Sequence, residues 1–116
     1  MSHVSFDPAF KNLGVAWRRS GVIAGETVRI RRNRRETFAA VVINLHSYLE
    51  SQFADAEKDT VVIIEKQPIV NKKTRLIQFL LQMFFLSKGA RIVFVCANEK
   101  WDYFKEKIVG LSLIHI

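Results

Sequence analysis

The sequence predicts an α/β fold on one mixed five-stranded sheet, three strands as an antiparallel meander followed by two parallel strands, in the order 3-2-1-4-5. Three observations carry that prediction. Segments 3–7, 13–19 and 26–32 read as half-buried strands bounded by turn residues. The period then becomes helical between Asn33 and Phe53. After that come two short, continuous apolar runs, 60–65 and 91–96, separated by a second helical segment at 71–88, the pattern of strands buried on both faces and joined by a crossover helix.

Taken in order, His3-Val4-Ser5-Phe6-Asp7 alternates and meets Pro8, so a short first strand delivers Asp7 at its end. Phe10-Lys11-Asn12 is the turn into a second strand that ends at Arg19. Gly21 and Gly25 supply the loop before a third, in which Val28 and Ile30 face one way and Arg29 and Arg31 the other. Asn33 with Glu36 has the form of a capping box, and Phe38, Val41, Val42, Leu45, Leu49 and Phe53 fall on one stripe of a helix of about five turns. The polar linker Asp55 to Asp59 leads into Thr60-Val61-Val62-Ile63-Ile64-Glu65, a buried strand that stops at a carboxylate before Lys66-Gln67-Pro68. Asn71 can cap the second helix and Gly89 ends it at C′, with Lys88 near the negative end of the dipole. Arg91 to Cys96 is the last strand, with Cys96 read as a core residue, and Trp101, Phe104, Lys105 and Ile108 mark the start of a further helix. A right-handed crossover through each helix sets the first and fourth strands side by side at the centre of the sheet. That is the arrangement of an RNase H-like fold.

A chain of 116 residues has room for one domain, assigned here to 1–110. Lys and Arg number 18 against 11 Asp and Glu, a net charge of +7 that favours a polyanionic partner and also fits a ribosomal or membrane-surface protein. A single cysteine excludes a disulfide framework and a thiolate zinc cluster, and a reducing intracellular compartment is the default expectation. No apolar segment reaches the roughly 18 residues of a membrane span, so no membrane partner is expected. Leu111-Ser112-Leu113-Ile114-His115-Ile116 is what translation of the mosaic-end adapter of a transposase-based sequencing library yields. Residues 111–116 are therefore expected to be an artefact, with the natural chain interrupted near Gly110; the alternative is a short apolar terminal strand.

The predicted sheet brings Asp7 and Glu65 together. Two carboxylates on rigid strands suit Mg²⁺, a hard cation that keeps several waters, and imply metal-assisted phosphodiester cleavage as the reaction class. On spacing alone each acid can equally be an N-cap or an exposed charge. The segment Phe6-Asp7-Pro8-Ala9-Phe10-Lys11-Asn12-Leu13-Gly14 resembles the first motif of the RuvC-type Holliday junction resolvases, particularly their poxviral and mitochondrial branches. Ile64-Glu65-Lys66-Gln67-Pro68 followed by Asn71-Lys72-Lys73 resembles their second, most closely that of the resolvases of large DNA viruses.

The resemblance implies an RNase H-like homodimer that cuts four-way DNA junctions with Mg²⁺, or Mn²⁺ in its place, with Asp7 and Glu65 as catalytic residues and metal ligands. Such a protein works in recombination and repair, in the cytoplasm or at a viral replication site if the source is viral. Ala9 stands where the family commonly has glycine, and Ile69 and Val70 stand in for the aromatic wedge of bacterial members. The family's last pair of acids has no counterpart, since Glu99 and Asp102 come too early, so this chain is expected to bind a junction without cutting it.

Lys11, Arg32, Arg35, Lys66, Gln67, Lys72, Lys73 and Arg75 are the candidate DNA contacts. A solvated strand face explains the cluster Arg29, Arg31, Arg32, Arg34 and Arg35 as well as DNA does. Phosphate contact is favoured for Lys72 and Lys73, because a helix N-terminus otherwise disfavours cations. Apolar residues wrap most of the second helix, so Phe79, Met83 and Phe84 are candidates for a homodimer interface, or for cover by further helices. Trp17, Trp101, Tyr103 and Phe104 fit packing better than base stacking, and His3 and His46 fit surface or half-buried roles. Two other readings are a nucleic-acid-binding module without catalysis and a nucleotide-binding protein, the latter weakened by the lack of a Gly-rich phosphate loop.

Overall fold

The structure is a computed structural model that describes residues 2–67 and 71–96. The elements run β1 (His3–Asp7), β2 (Asn12–Arg19), β3 (Val22–Arg29), α1 (Phe38–Phe53), β4 (Val61–Glu65), α2 (Lys72–Ser87) and β5 (Arg91–Val95). They form one sheet of order β3-β2-β1-β4-β5, antiparallel through β1 to β3 and parallel from β1 to β4 and β4 to β5. This is the predicted architecture. The expectations that rest on Pro68, Ile69, Val70, Glu99, Asp102, the helix from Trp101 and the segment 111–116 lie outside the described residues.

Both helices pack on one face of the sheet. Val4 and Phe6 of β1, Leu13 and Val15 of β2, and Val62 and Ile64 of β4 share a core with Val41, Leu45, Leu49 and Phe53 of α1 and Ile77, Leu81, Phe84 and Phe85 of α2. At its centre the rings of Phe6, Phe53 and Phe85 meet pairwise at 5.4–5.8 Å, tying β1 to both helices. Tilted and edge-on contacts of this kind add about 1 kcal/mol each beyond the area buried. β4, flanked by β1 and β5, is buried from Val61 to Ile64, which is why its sequence is apolar without alternation. Among the described residues β5 has a strand partner on one side only, and its residues 92–94 are half-buried.

Three local expectations are corrected. β3 starts at Val22 and ends at Arg29, not 26–32, because Ser20 and Gly21, with φ of 49° and 79°, make the two-residue hairpin turn straight after β2. Gly25 lies within β3, where an added Cβ would meet Val15 O at 3.1 Å. The N-cap of α1 is Thr37, whose hydroxyl accepts from Ala40 N at 3.3 Å, and not Asn33. Asn33 instead accepts from Arg35 N through its own side chain, a turn that competes with helix entry. Glu36 accepts from the Asn44 amide at 2.9 Å and from the Arg32 N–H, and these bonds hold its carboxyl below the usual range. Cys96 is exposed at the end of an edge strand rather than buried.

The end of α2 follows the sequence closely. Gly89, at φ 78°, allows Gly89 N to reach Leu86 O and Ala90 N to reach Phe85 O, the paired bonds of a Schellman motif. At the other end Asn71 occupies the N-cap position but its side chain makes no capping hydrogen bond. Among the described residues no helix is long and apolar enough to cross a membrane.

Candidate metal centre and nucleic-acid interface

β1 and β4 are parallel neighbours in the register His3↔Val61 to Phe6↔Ile64. One further step along that register brings Asp7 level with Glu65, at the carboxyl ends of two central strands about 4.8 Å apart. Side chains alternate along a strand, so both carboxylates lie on the face opposite the core residues Phe6 and Ile64. Asp7 is exposed and Glu65 half-buried. Ligands or substrates of open α/β sheets characteristically sit outside the carboxyl ends of such strands.

Asp7 is paired across the ladder with Gly14, and a Cβ at Gly14 would stand 3.2 Å from Asp7 Cβ and 3.9 Å from Asp7 Oδ2. The missing side chain leaves the flank of the carboxylate open. Two hard oxygen donors at one strand end, with free space beside one of them, fit a Mg²⁺ ion that brings its own waters. Among the described residues no group of three or more His, Cys, Asp or Glu side chains gathers around a point, so this pair is the acid set that the described residues offer.

Gln67 follows Glu65 by two residues and is tied to it. Its side-chain amide donates to Glu65 O at 3.1 Å, and its N–H donates to the Gln78 side chain of α2 at 2.9 Å. Lys66 N donates to Val95 O, which extends the β4–β5 ladder by one bond and leaves the Lys66 side chain exposed. Lys72 and Lys73 are exposed in the first turn of α2, while Arg75 lies half-buried with its guanidinium 5.6 Å from the Phe79 ring. Lys11 is exposed in the loop after β1, and Arg32 and Arg35 are exposed in the connection from β3 to α1.

One residue that sequence reasoning assigned only to the turn joins these segments. Phe10, three residues after Asp7, has Lys73 Nζ 4.8 Å and Arg31 Cζ 5.3 Å from its ring centre, and stacks on Phe38 at 5.9 Å with the planes 4° apart. Backbone bonds from Ile30 N and Arg31 N to Lys11 O tie the same loop to the chain leaving β3. An aromatic next to a lysine in a turn carries no sequence signal of this kind, because its cations come from distant segments.

On α2 the exposed apolar residues are Leu76, Phe79, Met83 and Leu86, with Phe79 43 % and Met83 63 % accessible. Phe84 is 9 % accessible and packs edge-on against Phe85, so it belongs to the core rather than to that stripe. Its other side floors an apolar groove of about 270 Å³ between α1 and α2, lined also by Val42, Ile43 and Leu80. A further cleft, about 560 Å³, lies at the opposite end of the sheet from Asp7, among Ser2, His3, Arg18, Arg19 and the 55–60 linker. There partial burial, with Arg18 and the N-terminus, pushes the His3 imidazole below its ordinary value.

No protein-family model matches this sequence, and no curated protein sequence does either. Solved structures match the fold. RuvC from Thermus thermophilus aligns with a TM-score of 0.63 at 17 % identity, over 83 % of this chain and 64 % of its own, so the chain spans less than two thirds of that RuvC. T. thermophilus RuvC in complex with Holliday junction substrate aligns with a TM-score of 0.67 at 15 % identity, over 100 % of this chain and 78 % of its own. The fowlpox virus Holliday junction resolvase aligns at 0.50 and 22 % identity, over 92 % and 75 %. With the sheet order β3-β2-β1-β4-β5 and its two parallel pairs, this chain has the RNase H-like fold that RuvC also has.

Proposed function

We propose that this protein is a divalent-metal-dependent nuclease of the Holliday-junction-resolving kind, with Asp7 and Glu65 as catalytic residues and metal ligands. The observation that carries the reading is the acid pair at one step of two central parallel strands, on a fold shared with a RuvC solved on junction DNA. A bound Mg²⁺, or Mn²⁺, supplies Lewis-acid polarisation of a phosphodiester and an activated water. The chain's own part is to hold the ion on Asp7 and Glu65, to fix the strand end through the Gln67 amide on Glu65 O, and to neutralise phosphates with Lys11, Lys66 and Lys72. A second copy of the chain on the Phe79 and Met83 stripe gives two sites related by a two-fold axis, the symmetry of a four-way junction.

The test uses the 116-residue protein with synthetic four-way junctions and plain duplex. Junction binding tighter than duplex binding is expected, together with Mn²⁺ binding that Asp7→Asn and Glu65→Gln each weaken at least about tenfold. Equal affinity for duplex and junction, with Mn²⁺ binding untouched by both substitutions, refutes the reading. The acid pair being the whole described ligand set favours a second reading, a junction-binding module without catalysis. Junction binding without nicking is expected of this chain on either reading, so Mn²⁺ binding that both substitutions weaken decides for the metal site of a nuclease, and junction binding without it decides for the module. Mg²⁺-dependent nicking that Glu65→Gln abolishes overturns the expectation that this chain does not cut.

A further inference from the structure

We propose that Phe10 is a positioning residue that gathers Arg31 and Lys73 into one clamp for a backbone phosphodiester of a bound nucleic acid strand, at the end of the sheet where Asp7 closes β1. The proposal rests on the nucleic-acid reading above and adds a residue and a specific contact to it. Lys73 Nζ and Arg31 Cζ lie 4.8 and 5.3 Å from the Phe10 ring centre, so two cations from distant parts of the chain share one aromatic ring. Among the described residues neither of them forms an ion pair with a carboxylate. Sharing one ring keeps the two cations within about 10 Å of each other, where like charges repel, and the ring quadrupole offsets the repulsion only in part.

Two further features point to an anion. Lys73 is in the first turn of α2, where the helix dipole is positive, the turn holds no acidic residue and the Asn71 side chain makes no cap. Arg31 donates from Nη2 to Arg34 O at 3.0 Å, while its Nε is buried with no hydrogen-bond acceptor. A phosphate at this position would receive two cations, one of them from the positive first turn of a 16-residue helix. Phe10 is fixed in turn by its stacking on Phe38 and by the backbone bonds from Ile30 and Arg31 to Lys11 O. The cations are thereby preorganised, which lowers the ordering cost of binding.

Duplex and four-way-junction DNA binding, measured in EDTA across a salt series, tests the clamp without any cleavage. Each lost phosphate contact should flatten the slope of log affinity against log salt by about 0.9. Arg31→Gln and Lys73→Gln are each expected to do so. Phe10→Leu, which changes no charge, is expected to match the double Arg31→Gln/Lys73→Gln protein in slope, and Phe10→Tyr to restore the wild-type slope. A wild-type slope in Phe10→Leu, or in the double variant, overturns the proposal, as does the absence of DNA binding by the unaltered chain. Should Phe10→Leu fail to fold by circular dichroism, the two glutamine variants and Phe10→Tyr still decide it. Slopes that follow the prediction without junction preference or nicking remove the nuclease reading and keep the clamp. Unchanged slopes beside Asp7- and Glu65-dependent Mn²⁺ binding remove only the clamp.

Discussion

At the scale of single residues, the placement of the two acids was legible because each closes a strand, Asp7 at the end of an alternating segment and Glu65 at the end of an apolar run. Asp7 precedes Pro8 and Glu65 follows Ile64, so chain geometry alone puts each at the carboxyl end of its strand. The role of Gly14 was not legible in the same way. Only the ladder shows that it stands opposite Asp7 and that its absent side chain keeps the carboxylate's flank open. Gly14→Ala would press a methyl group to 3.2 Å from Asp7 Cβ, closer than ordinary contact. Mn²⁺ affinity measured by titration should fall roughly tenfold, as when a group supporting a ligand is displaced, while the circular dichroism spectrum stays that of the folded chain. Unchanged affinity would mean that Asp7 moves aside at no cost to the ion.

Among the elements, the helices show where local sequence signals succeed and where they compete. Gly89 ended α2 as expected, because only a residue at ease with positive φ closes the Schellman bonds. The start of α1 differed, since two candidate caps lie four residues apart. Asn33 satisfies the Arg35 N–H in a turn of its own, and Thr37 caps the helix. Thr37→Ala should therefore cost about 1 kcal/mol in urea unfolding, and Asn33→Ala distinctly less. The reverse order would return the cap to Asn33. The late start assigned to β3 had a similar origin. Gly25 read as a loop residue, but the hairpin turns at Ser20 and Gly21, and the freedom of Gly25 serves close approach to Val15 O inside the sheet.

For the whole molecule, α2 carries Leu76, Phe79, Met83 and Leu86 on its exposed side. Helical periodicity announced that this helix has more apolar surface than one sheet face can take up. It did not say which residues the sheet takes, and Phe84 went into the core with Phe85. If a second copy occupies the stripe, sedimentation at micromolar concentration should show a dimer that Met83→Glu converts to monomer. The melting temperature extrapolated to low protein concentration should change little, because Met83 is 63 % accessible in the single chain. A monomer in the unaltered protein would leave the stripe to another partner.

The sequence by itself determined the strand order, the two helices and the acids at the strand ends. Those features follow from hydrophobic period, turn chemistry, the position of charge within a run and the right-handedness of strand–helix–strand crossovers, all of which are rooted in local chain chemistry. Tertiary structure decided what depends on contacts between distant segments. The convergence of Arg31 and Lys73 on Phe10, the opposition of Gly14 to Asp7 and the division of α2 between core and surface belong to that class. A cation finds its ring, and a glycine its opposite number, only once the sheet and helices have brought their segments together.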